Sequence, residues 1–224
     1  MDRFRFFLKA FAGIAFFVII LFVCAGRLDY EQGWIYAAVS LLGLMTDCVL
    51  TGKDIELLKE RSKFPGDARD WDKNILKLSA LVTVIAYAVA GLDSGRYQWS
   101  PRLPRVASIV GIVVMVTGQC LFLIAKKTNR FFSSVMRIQS DRGHTVCEAG
   151  LYRFVRHPGY LGMITSWIAF PLVLGSIWSG IPVAVAIILL LMRTRLEDMT
   201  LIRELACYNQ YAQRTGYRLI PGIW

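Results

Sequence analysis

Four stretches of the chain are long and apolar enough to read as single bilayer crossings, roughly residues 7–26, 33–50, 75–92 and 106–125. Each is near the ~20 residues that an α-helix needs to traverse ~30 Å of hydrocarbon. A fifth block, Tyr160 to Met192, contains no charged residue over 33 positions. As one helix, at ~1.5 Å per residue, it would run to about 50 Å, and Pro171, Gly175, Gly180 and Pro182 punctuate its middle. It reads as a tight hairpin of two short helices. The pattern predicts an all-α fold, a polytopic membrane helix bundle of about six transmembrane helices that ends in a helical hairpin.

Three polar stretches gather at one end of this predicted bundle. Residues 51–74 open on a short helical pattern, mix both signs of charge and carry Trp71, whose indole suits an interfacial anchor; they read as a solvated connector. Residues 126–159 are too long for a plain turn, and loops of that length within a compact fold are usually functional. From Arg193 to Tyr211, the positions of Leu196, Met199, Leu201, Leu205 and Tyr208 suit an amphipathic helix that continues out of the bilayer. The expected division is therefore an N-terminal four-helix transmembrane region, 1–125, and a C-terminal region, 126–224, with loop, hairpin and cytoplasmic tail.

Composition strengthens the membrane reading: 55% of residues are hydrophobic, 19% are charged and mean hydropathy is +0.47, against about 45–50% apolar and ~25% charged for soluble domains. The net charge of +10 raises nucleic acid as a partner, but the basic residues fall between apolar blocks, as they do beside anionic lipid headgroups, and no nucleic acid is expected. Of the 26 Lys and Arg residues, 22 lie on the side of residues 1–9, 51–77, 126–156 and 193–224, and four, Arg27, Arg96, Arg102 and Arg105, lie on the other. The positive-inside rule then puts both termini in the cytoplasm, the expected location being a bacterial inner membrane. The amino end has signal-peptide character, but Val23 before Cys24 and the lack of a small-residue cleavage site favour a retained first helix. The five cysteines form no CxxC pair and no Cys/His cluster, so neither a disulfide framework nor a metal site is expected.

Candidate chemistry lies in the polar stretches. In Gly150 to Tyr160 (GLYRFVRHPGY), Pro158 suits a first helical turn and pushes His157 just outside it, at a helix N-terminus able to attract an anion; interfacial anchoring explains the same residues about as well. Arg193 and Glu197 are i and i+4 on one helix face, where a guanidinium able to grip a carboxylate would stand beside a carboxylate able to hold an ammonium; a routine surface ion pair is the plainer reading. Asp47 and Gln119 are polar residues within predicted spans; Asp47 is near a helix end and is expected to reach water.

In order along the chain, His144–Thr145–Val146–Cys147, Gly150–Leu151–Tyr152, Arg156–His157–Pro158–Gly159–Tyr160, a hydrophobic hairpin, Arg193 with Glu197, Asp198 and Leu201, Tyr208 with Tyr211, and the ending from Arg218 to Trp224 resemble the isoprenylcysteine carboxyl methyltransferases and related membrane methyltransferases. The resemblance covers about the last 95 residues. It implies S-adenosylmethionine as cofactor, held in a cytoplasmic pocket by His144, Thr145, Val146, Cys147, Tyr152, His157, Pro158, Gly159, Tyr160 and Glu197. It also implies Arg193, Glu197 and His157 as catalytic residues, Arg193 orienting the substrate, and a lipophilic or small methyl acceptor met at the bilayer. Asp198 stands where many members have a second glutamate. Three other readings remain: an NADPH-dependent oxidoreductase like the membrane sterol reductases, a methyltransferase acting on a thiol or phospholipid amine, and an inactive protein of the same fold.

Overall fold

The computed structural model describes residues 3–52, 54–62 and 69–224. Among these, no residue is in a strand. The chain forms α1 (Arg3–Ala25), α2 (Glu31–Thr51), the short α3 (Ile55–Ser62), α4 (Asp70–Ala90), α5 (Arg105–Thr128), α6 (Pro158–Leu174), α7 (Gly180–Glu204) and α8 (Tyr208–Arg214). A π-helical segment, Gly91–Tyr97, continues α4. Four helices, over Phe6–Ala25, Glu31–Thr51, Asp70–Tyr97 and Arg105–Thr128, are long and apolar enough to cross a membrane, as expected. The charge-free block is the expected hairpin: Gly175 ends α6 in the left-handed region, at φ +67°, and Pro182 sits in the first turn of α7. Its helices are short, 17 residues in α6 and 13 in α7 before Arg193.

Small residues set the closest helix approach. A Cβ on Gly118 of α5 would stand 2.7 Å from the Gly162 carbonyl oxygen on α6, and one on Gly162 would stand 2.6 Å from the Gly118 oxygen. Without a hydrophobic force between helices in lipid, such backbone contact is what gains packing energy. One core cluster, including Leu21, Ala25, Tyr30, Ala90, Phe170 and Leu174, fills the end of the bundle away from the termini. There the fully buried Asp93 accepts hydrogen bonds from the Ser100 amide at 2.7 Å, the Ser100 hydroxyl at 2.6 Å and the Ser176 hydroxyl at 2.6 Å, stapling the hairpin turn to the end of α4.

The opposite, basic end departs from expectation. Within 51–74, residues 53 and 63–68 lie outside the described residues, and the rest is not simply a solvated connector: Leu57, Leu58, Glu60 and Asp72 are buried, and the half-buried Trp71 packs against the cluster of Met136, Leu201, Leu205, Tyr208 and Tyr211. The acids go inside because cations from the C-terminal region meet them there. Glu60 accepts from Arg137 Nε and Nη2 at 2.8 and 2.9 Å. Asp47, partly exposed, likewise takes the buried Lys126, whose Nζ lies 2.6 and 2.7 Å from its two oxygens.

Candidate active site

After α5 the chain turns at Asn129, whose side-chain oxygen caps the Phe131 amide at 2.9 Å. It then passes α3 and the start of α4, where the Met136 amide donates to Asp72 at 2.7 Å. Gln139, fully buried, donates to the Phe131 carbonyl at 2.7 Å and fixes the loop that presents His144. The His144 ring lies 4.5 Å from the Phe131 ring, and its Nδ1 accepts from the Gln139 amide at 3.2 Å. Burial, with Arg137 and Arg142 nearby, pushes the His144 pKa down to about 4, so the ring is neutral at pH 7.

This loop, α4 to α7 and the tail enclose a cavity of about 320 Å³, within the ~300–1,000 Å³ usual for small-molecule sites. His144, Thr145, Val146, Cys147, Tyr152, His157, Gly159, Tyr160, Arg193 and Glu197 all line it, so the sequence-predicted residues converge. Pro158 does not: it is the buried first residue of α6 and holds the turn rather than the wall. The helix N-terminus is also less open to an anion than expected. The Tyr160 and Leu161 amides return to the His157 carbonyl, and the Arg156 and His157 amides are taken by the Tyr217 and Arg218 carbonyls of the tail, both at 2.9 Å.

Asp198 is the hub beneath the cavity. Fully buried, it accepts from Arg156 Nε and Nη2 at 2.8 and 2.9 Å, Arg218 Nε at 2.8 Å and the Tyr208 hydroxyl at 3.0 Å, with His157 Nε2 at 3.1 Å. Burial alone would raise its pKa; the bonds from His157, Arg156 and Arg218 outweigh that and hold the carboxyl far below the usual carboxylate range. One acid thus ties α7, the loop before α6, α8 and the tail together, and fixes the His157 ring. The other His157 nitrogen, Nδ1, stands 3.8 Å from Glu197.

Arg193 and Glu197 face the same cavity but are not each other's partners. Arg193 Nε and Nη2 lie 2.6 and 3.2 Å from the buried Asp72 of α4, and Nη2 also donates to the Ser134 carbonyl at 2.9 Å. Its guanidinium sits 5.6 Å from the centre of the Tyr160 ring. Glu197 accepts from the Tyr160 hydroxyl at 2.7 Å. Sequence reasoning missed Asp72 and, in the cavity wall, Arg61, Asn129, Phe132 and Gln139. A second cavity of about 420 Å³, between α1, α2, α4, α5 and α6, shares Phe122 and Met163 with the first and has Asp47 and Gln119 in its wall.

Helices of membrane-crossing length make this an integral membrane protein, with a part-polar cavity where their basic ends meet. Residues 109–203 match the isoprenylcysteine carboxyl methyltransferase (ICMT) family, which bears out the resemblance seen in the motif order. The chain is 28% identical over 152 residues to protein-S-isoprenylcysteine O-methyltransferase of Homo sapiens, covering 62% of this chain and 53% of that protein. It is 25% identical over 120 residues to the Saccharomyces cerevisiae enzyme of the same name, covering 50% and 48%. A probable protein-S-isoprenylcysteine O-methyltransferase of Oryza sativa subsp. japonica is 38% identical over 58 residues, 25% of this chain and 30% of that one. The matches thus span between about a third and a half of those relatives.

Proposed function

We propose that this protein is an S-adenosylmethionine-dependent membrane methyltransferase acting on a lipophilic acceptor at the bilayer, in the first place an isoprenylcysteine-type carboxylate. The observation that carries the reading is the convergence of the His144 to Tyr160 segment and Glu197 on one cavity, inside a region that matches the methyltransferase family. The residues present fit the cofactor: Glu197, fixed by the neutral Tyr160 hydroxyl, offers a carboxylate to an ammonium, and the tyrosine rings offer faces to a sulfonium.

When bound, S-adenosylmethionine would supply an electrophilic methyl to the acceptor carboxylate, the thioether leaving with the electron pair of the C–S bond. The protein needs no general base for a carboxylate acceptor, since a carboxyl with pKa ~4 is already ionised at pH 7. Its task is alignment and removal of water. His157, locked between Asp198 and Tyr208, acts as a fixed wall; for a thiol or amine acceptor its Nδ1, beside Glu197, is the candidate base. Arg193 keeps α7 in register with α4 through Asp72 while its guanidinium faces the cavity. The 22-to-4 division of basic residues supports six crossings with both termini and the cavity cytoplasmic.

Detergent-purified protein should bind tritiated S-adenosylmethionine and not NADPH, with Glu197→Ala and His157→Ala weakening that binding. Binding of NADPH alone would overturn the reading in favour of a reductase.

A further inference from the structure

Arg61, on the last turn of α3, is a cation in the cavity wall that no acid among the described residues pairs directly. Its Nε is buried and makes no hydrogen bond, and its guanidinium forms no ion pair among the described residues. It rests instead on aromatic rings, 5.2 Å from the centre of Phe132 and 5.9 Å from that of Phe122. The neighbouring acids are already engaged: Asp47 by Lys126, Asp72 by Arg193 and Glu60 by Arg137. Ring faces offset part of the cost of burying a guanidinium, but a buried N–H still lacks an acceptor. The planar fork of arginine is shaped for a carboxylate.

The second cavity indicates whose carboxylate this is. Phe122, against which Arg61 stacks, lines both cavities, and the wall of the second is mostly apolar, including Leu44, Met115, Leu123 and Phe170. An amphiphile with its tail in that space brings its head up at Phe122, beneath the guanidinium and next to the cofactor cavity. We propose that Arg61 binds the carboxylate of the methyl acceptor. This rests on the methyl-transfer reading above. It leaves Arg193, already neutralised by Asp72, as a positioning residue, and makes Arg61 the residue that selects an anionic acceptor.

The test uses the full chain in lipid nanodiscs with N-acetyl-S-farnesylcysteine as probe, beside its carboxamide, which keeps the tail and removes the charge. Calorimetric binding of both is compared, without methyl donor, for the wild type, Arg61→Gln and Arg61→Lys; S-adenosylmethionine binding is measured separately. The wild type should prefer the carboxylate, Arg61→Gln should lose roughly tenfold to a hundredfold for the carboxylate alone, as when a charged hydrogen bond is removed, and Arg61→Lys should fall between. S-adenosylmethionine affinity should not change. A wild type that does not bind the carboxylate or binds both probes equally, or an Arg61→Gln that binds the carboxylate normally, overturns the proposal. So does a loss confined to S-adenosylmethionine, which would give the contact to the donor's own carboxylate. Because the probes are read without donor, a wild type that takes up no S-adenosylmethionine condemns the methyltransferase reading and not the assignment of Arg61.

Discussion

Two fully buried carboxylates, Asp93 and Asp198, hold the opposite ends of this bundle by different means. Asp93 is met by neutral donors, the hydroxyls of Ser100 and Ser176 and the Ser100 amide. Asp198 is met by two guanidiniums, an imidazole and a phenol, from before α6, from α8 and from the tail. Neutral donors staple two turns and leave that end closed. Charged donors, longer and reaching from further away, hold several elements around a space without filling it. The difference is that between an end that only has to be shut and one that has to stay open in a fixed shape.

The comparison can be broken most directly at Asp198. Asp198→Asn removes the charge that balances Arg156 and Arg218, and loss of one partner of a buried pair costs about 3–5 kcal/mol; thermal unfolding in detergent should show it, together with lost S-adenosylmethionine binding. A smaller effect is expected at the far end. Asp93→Asn keeps the shape and some acceptors, so about 1–3 kcal/mol should go, with donor affinity unchanged; a loss of affinity there would mean the two ends are coupled. The contrast also extends to pH, since both histidines lie at the basic end. With a pKa of about 4 folded against ~6.5 unfolded, His144 binds more protons when released. Its contribution is therefore complete above pH 6.5 and is lost as pH falls toward 4. Unfolding temperatures across that window should drop less steeply in His144→Gln than in the wild type.

The hairpin and the site segment were legible in the sequence because both are local: a charge-free block cut by Pro171, Gly175 and Pro182, and an HPGY turn that starts a helix at Pro158. The charge pairing was not. Arg193 and Asp72 are 121 positions apart, Lys126 and Asp47 79, and Arg137 and Glu60 77. Periodicity reports which face of an element is apolar, and carries no information about which distant charge will be desolvated beside it. That is why 51–74 looked like a solvated connector, why Arg193 looked like the partner of Glu197, and why Arg61 drew no notice. Pro158 shows the opposite error: nearness in sequence to wall residues did not make it one.

The exposed apolar stripe of α1 runs from Phe4 to Val23, a height of about 29 Å at helical rise. That of α7 runs through Ile181, Val185, Ile188 and Met192 before the exposed Arg195, a height of about 17 Å. Val183 packs with Leu21 and Ala25, so both stripes begin at one level and that of α7 stops short. Around this protein the greasy rim is therefore uneven, full height at α1 and a low sill at α7, the helix that carries Arg193 and Glu197. A bilayer of even thickness would match α1 and overtop the sill at α7, so the protein's demand on thickness would fall on one side only.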